Sequence, residues 1–212
     1  MAPSLRTARL GLLTLLLSSV PAAHAVDGTI TINGEITDST CKINGKTPPS
    51  DVIVNLPKIS TSALKNTGDS AGATAFTLKL TDCPTTLTGE VKAYFEPGIT
   101  TDYDSGALYA YTPIAVDTST SSSTPLTGIP SRTGATKATN VEIQLANTDG
   151  KPIKIGAPTN MATGVVFSSS GSGDAARNTA TLHYLARYYK SGSGDISPGK
   201  LITYVAYSIA YP

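Results

Sequence analysis

Apolar and polar residues alternate in short runs along this chain, the period of a strand with one buried face. The longest run closes the sequence: residues 201–212 read LITYVAYSIAYP and carry no charge. Leu201, Thr203, Val205, Tyr207, Ile209 and Tyr211 fall on one face, and Ile202, Tyr204, Ala206, Ser208 and Ala210 on the other. At about 3.3 Å per residue such a strand is roughly 40 Å long, and its uncharged edge would recruit any free strand unless something covers it. Further alternating runs predict strands at residues 29–43, 52–56, 74–83, 90–95, 107–116, 141–147 and 181–189, with Phe76, Leu78 and Leu80 on a common face. Turn formers separate them at Pro48-Pro49, Pro84, Pro97-Gly98, Asp149-Gly150 and Pro198-Gly199. Helical periodicity appears only at residues 61–66 and covers barely two turns. The pattern predicts an all-β chain, folded as a sandwich.

Two stretches have the composition of exposed loops. Residues 117–124 read DTSTSSST and are followed by Pro125, Gly128, Pro130 and Gly134; residues 168–174 read SSSGSGD. Neither carries enough apolar surface to order itself tightly.

The start of the chain follows a different rule. Arg6 and Arg9 precede an apolar run from Leu10 to Val20, which ends in Ala23-His24-Ala25. This is the order of a secretory signal peptide, with cleavage between Ala25 and Val26. An apolar run of about 11 residues is too short to cross a bilayer of about 30 Å as a helix. Cleavage removes two of the 16 basic residues and none of the 15 acidic ones, leaving 14 against 15 and a net charge of −1. That balance, with no basic cluster longer than two residues, argues against nucleic acid or an anionic membrane as partner. The remaining 212 − 25 = 187 residues suit one sandwich domain.

Export also bears on Cys41 and Cys83, the two cysteines of the chain. In an oxidising compartment an even pair is read as a disulfide. Thiolate ligation of a metal would need further Cys or His at short spacing, and the sequence offers none, so no metal or cofactor is expected.

Fragments that resemble catalytic motifs have simpler readings. GSGDAA at residues 171–176 and GSGDIS at 192–197 lack the third glycine of a nucleotide loop and open no helix, so both read as hairpin loops. Asp102, Asp104 and Gly106 in DYDSG sit at the wrong spacing for a calcium loop, and Pro113 stands where the closing Glu belongs. His183, the one histidine left after cleavage, lies on a predicted strand with Leu185, Arg187 and Tyr189 on its face and no G-x-S-x-G nearby. No catalytic residue is assigned.

Several segments together resemble a known family. They are GTITINGEITDSTC at 28–41, VNLPKIST at 54–61, FTLKLTDC at 76–83, VEIQLANTDGKPI at 141–153, LARYYKSG at 185–192 and the C-terminal strand. Tyr211 is the penultimate residue and Gly199 the fourteenth from the end, the spacing of the family's chaperone-recognition pattern. The chain resembles a pilin subunit of the type 1-like chaperone/usher fimbriae of Gram-negative bacteria, and the resemblance implies the major subunit.

The resemblance implies an immunoglobulin-like sandwich that lacks its last strand, completed in trans. Residues 1–25 would be the signal peptide, 26–38 an N-terminal donor strand and 39–212 the pilin domain. Val26, Gly28, Ile30, Ile32, Gly34 and Ile36 would supply the donor's alternating side chains, with Gly34 at a position that admits no Cβ. From the residues alone, this segment reads equally well as the first strand of its own domain. Gly199, Leu201, Val205, Tyr207, Ile209, Tyr211 and Pro212 would form the groove strand that a periplasmic chaperone captures. The implied partners are an outer-membrane usher, neighbouring copies in a fibre at the cell surface, and a host receptor that the sequence does not identify. The domain is longer than the class requires, and the excess falls at residues 98–134. Competing readings are a minor or adaptor subunit, a secreted monomeric carbohydrate-binding sandwich, and a hydrolase built on His183.

Overall fold

In the computed structural model, which describes residues 30–36, 41–112, 135–158 and 162–212, the alternation becomes nine strands. They are β1 (Lys42–Ile43), β2 (Ser70–Cys83), β3 (Glu90–Glu96), β4 (Leu108–Thr112), β5 (Thr136–Asn147), β6 (Val165–Val166), β7 (Ser168–Ser170), β8 (Arg177–Tyr189) and β9 (Ala206–Ala210). The chain divides into two units, Met1–Ile36 and Thr37–Pro212. In the first, residues 30–36 belong to no strand, and Ile30, Ile32 and Ile36 are exposed.

The second unit is built from two antiparallel sheets. One has the order β1-β2-β8-β5-β4, with β7 also paired to β8; the other has the order β6-β3-β9. Along β8, Asn178, Ala180, Leu182, Tyr184 and Ala186 are buried, and the residues between them are not. Phe76, Leu78 and Leu80 of β2 pack into the same core as Val91, Ala93 and Phe95 of β3, so the apolar face of each sheet meets the other. Tyr184 joins the layers. Its ring meets Phe95 and Phe76 at centroid distances of 5.3 and 5.9 Å. Its hydroxyl donates to the Thr163 carbonyl and accepts the Ala93 N–H. A buried phenol needs such partners, since losing them would leave polar atoms dry at a cost of about 1–3 kcal/mol.

Cys41 and Cys83 are bonded. A bulge in the register of β2 between Leu80 and Cys83, where Asp82 has φ 54°, resets the alternation so that Cys83 follows Leu80 inward. Without that extra residue Cys83 would face solvent.

Several expectations are corrected. The terminal strand at residues 201–211 is not continuous: only Ala206–Ala210 forms a strand, preceded by an isolated bridge between Ile202 and Tyr111. The strand expected at 29–43 is reduced to Lys42–Ile43 among the described residues, and 52–56 belongs to no strand. Ser168–Ser170, read as loop, pairs with Thr179, Asn178 and Arg177 of β8, because an edge strand needs no apolar residues to be held by its backbone. The helical signal at 61–66 is a single 3-10 turn, Thr61–Ala63, whose Ser62 N–H is capped by the Ser60 hydroxyl. The Ser/Thr-rich 117–124 segment lies outside the described residues.

Candidate strand-docking site

The C-terminal segment crosses from one sheet to the other, and its partners explain how. Ile202 exchanges two 2.9 Å backbone hydrogen bonds with Tyr111, beside β4 of the first sheet. The Thr203 hydroxyl donates to the Tyr109 carbonyl, and the Thr100 hydroxyl donates to the Tyr204 carbonyl, both at 2.7 Å. The chain then joins the second sheet, where Ala206, Tyr207, Ser208, Ile209 and Ala210 pair with Glu96, Phe95, Tyr94, Ala93 and Lys92. Ser208 adds a 2.7 Å hydroxyl bond to Glu96.

Among the described residues β9 pairs with β3 alone, so its other edge offers unpaired backbone groups. Below that edge runs the predicted face: Leu201, Val205, Tyr207, Ile209 and Tyr211 all pack against the core, yet each stays only partly buried. Val52, Val54 and Leu56 do the same, and Ile53 between them is 72% exposed. Two phenols tie β9 and its end to this earlier part of the chain. Tyr207 donates to the Ser50 carbonyl at 2.6 Å, and Tyr211 accepts the Cys41 N–H at 3.1 Å. Burial pushes the Tyr207 hydroxyl above its ordinary range, so it remains a protonated donor at any physiological pH. The two stretches are therefore bridged by side chains and share no backbone ladder.

The terminus is placed by a glycine. Gly89 has φ 113°, and a Cβ there would stand 2.9 Å from the Cβ of Pro212. Gly199 lies where an added Cβ would meet Thr112 at 3.9 Å, ordinary contact.

Other expected site residues fall as follows. Cys41 and Cys83 come together in the bridge. Ile30, Ile32, Gly34 and Ile36 are exposed, and an added Cβ at Gly34 would meet nothing within 4 Å. Ala25, Val26 and Gly28 lie outside the described residues. His183 is exposed on β8 opposite Thr77. The sequence reading passed over Ser50, Gly89 and Thr100. Each acts through a backbone or hydroxyl contact more than 90 positions away, for which a single strand's pattern carries no signal.

Known proteins resemble this chain over most of its length. The description of the family Type-1 fimbrial protein, A (FimA) matches residues 56–212. The chain is 46% identical over 192 residues to the fimbrial protein FimX of Bordetella pertussis, covering 90% of this chain and 92% of the relative. It is 41% identical over 211 residues to the serotype 2 fimbrial subunit of the same organism, covering 99% of each. Among solved structures it resembles the P pilus rod subunit PapA, with a TM-score of 0.50 and 17% identity over 82% of this chain and 100% of that one. That level of identity speaks to the fold alone.

Proposed function

The chain belongs to the type-1 fimbrial protein family, and we propose on that premise that it polymerises by accepting a neighbour's N-terminal strand beside β9. The family consists of structural subunits and not enzymes, exported to the cell surface as fimbriae. The proposal goes further, to the means of assembly and the residues that perform it.

The observation that carries it is the half-covered apolar row beside an unpaired edge. Leu201, Val205, Tyr207, Ile209 and Tyr211 pack on the core without being fully enclosed, and β9 is hydrogen-bonded on one side only. An added strand beside β9 would complete the backbone ladder and bury that row, with pockets for alternate side chains giving specificity. Residues 26–38 match that requirement in pattern, since Ile30, Ile32 and Ile36 recur every second or fourth position and are exposed in this chain. Gly34 interrupts them where a shallow part of the row would admit no Cβ. In the periplasm a chaperone strand holds the same edge, with Tyr211 and Pro212 at its grip, until an outer-membrane usher exchanges it. A subunit with both a donor segment and an acceptor edge can occupy any internal place in a shaft, which supports the major-subunit role.

The test uses a synthetic peptide of residues 26–38 and a full domain lacking that segment. Stoichiometric incorporation of the peptide, with a rise in the domain's unfolding temperature, is the expected result. A domain that stays monomeric, stable and indifferent to the peptide would overturn the mechanism.

A further inference from the structure

Away from β9, one hydroxyl joins two carboxyl groups. Ser105 Oγ lies 2.8 Å from Glu142 Oε2 and 3.1 Å from Asp102 Oδ2, and the same oxygen accepts the Ala107 N–H at 3.0 Å. A serine hydroxyl has one hydrogen to give. With two carboxyl oxygens beside it, the arrangement is fully satisfied only if one carboxyl also carries a proton. Glu142 is 6% exposed on β5, and two bare carboxylates so close together would repel.

We propose that Asp102 and Glu142 share a single proton through Ser105, and that this proton latches the 98–107 loop to β5 so that deprotonation at rising pH releases it.

The loop is worth holding. Besides Asp102 and Ser105 it carries Thr100, whose hydroxyl holds the Tyr204 carbonyl where the chain crosses toward β9. Its own turn is closed by Asp102 N–H to the Ala107 carbonyl, Gly106 N–H to the Asp102 carbonyl and Tyr109 N–H to the Thr100 carbonyl. Gly106 admits no replacement, because a Cβ there would stand 2.8 Å from the Lys154 backbone.

The groups around the pair favour one site for the proton. Burial raises Glu142, contacts with the Ser105 and Ser191 hydroxyls oppose the rise, and the neighbouring Asp102 adds to it. Burial would raise Asp102 too, but the Asp104 N–H, Glu142, Ser105 and Tyr109 donate to it and together hold it low. The proton therefore resides on Glu142 and the charge on Asp102. Tyr109 from β4 and Tyr189 from β8 stand opposite Glu142 in register, Asp104 lies in the loop, and Gln144 beside it on β5 engages Arg187 of β8. The nearest cation on β5, Lys137, is spent on the Tyr109 ring at 3.5 Å.

The sign follows from the two directions. A raised Glu142 contributes stability that is complete below its unfolded value and is lost as pH rises through its folded value. A lowered Asp102 contributes stability that is lost only as pH falls through its own folded value. The latch is closed between these limits and opens above the raised value of Glu142.

Hydrogen exchange of fibres of the full chain tests this, read at the amides of Asp102, Gly106 and Tyr109 after correction for intrinsic rates. Protection should fall between about pH 5 and about pH 8, by about ten-fold for each unit that Glu142 is displaced upward. Glu142→Gln keeps a donor that cannot ionise, so its protection should be high and flat over the same range. Equal protection of the native chain at both values, or an unchanged slope in Glu142→Gln, would overturn the proposal. Should that variant fail to assemble, the carboxyl carbon signals of 13C-labelled native fibres decide alone: two carboxyls both ionised at pH 5 would sink the latch.

Discussion

The N–H of Cys41 donates to the hydroxyl of Tyr211, 170 positions later in the sequence. The penultimate residue is thereby fastened to the residue that is itself bonded to Cys83 at the end of β2. One disulfide and one phenol thus join both ends of the domain to its core sheet. Tyr211→Phe keeps the ring but leaves the Cys41 N–H without its acceptor, for an expected loss of about 1 kcal/mol, or more where water cannot replace it. Cys41→Ser should cost about 2–5 kcal/mol and lower the exported yield far more. Denaturation of the peptide-complemented domain measures both; a Tyr211→Phe variant as damaged as Cys41→Ser would show that the phenol does more than accept this bond.

The donor segment is tested at Gly34. Within its own chain an added side chain there meets open space, so Gly34→Leu should leave the domain's folding and its capture by chaperone unchanged. In a neighbour's groove the same side chain would overpack a shallow position, at about 1–3 kcal/mol per junction, and slow polymer growth. Electron microscopy of fibres, set beside periplasmic subunit levels, separates the two effects. Fibres of normal length and abundance would place Gly34 outside the groove.

Gly89 offers a probe of the terminus that leaves residues 201–212 untouched. Its φ of 113° disfavours any side chain, and a Cβ would stand 2.9 Å from that of Pro212. Gly89→Ala should displace the last residues and reduce chaperone capture, with a strain cost of about 1–3 kcal/mol. Adding Pro212→Gly removes the clash but not the strain. Partial recovery in the double variant, read as a positive coupling energy, is the expected outcome. Strict additivity would mean that the contact is unimportant.

Much of this was legible in the sequence where one strand's own pattern decides its burial. Phe76, Leu78 and Leu80 announce the core face of β2, and Leu201, Val205, Tyr207, Ile209 and Tyr211 do pack against the core. The sequence also held the alternation of Val52, Val54 and Leu56, although their lack of a ladder partner cannot be read from them. What stayed hidden depends on distant partners. Nothing within 201–211 marks the crossover between sheets, because Tyr111, Tyr109 and Thr100 impose it from elsewhere. The Cys83 bulge was equally hidden, since a left-handed Asp82 is a matter of register with β8. Ser168–Ser170 failed for the opposite reason: its polarity is that of a loop, while its backbone is that of a strand.

The Cys41–Cys83 bond has a mechanical meaning as well. Tension drawn along residues that precede the domain meets Cys41, the first bonded point among the described residues there. The bridge spans 42 positions of sequence. At about 3.4 Å per residue, that stretch would otherwise pay out roughly 140 Å of slack under a sustained pull. Closed by a covalent link, it can release none, and the force passes directly into the end of β2, which is paired with β8. A filament made of such units therefore gains no length from residues 41–83 when it is pulled.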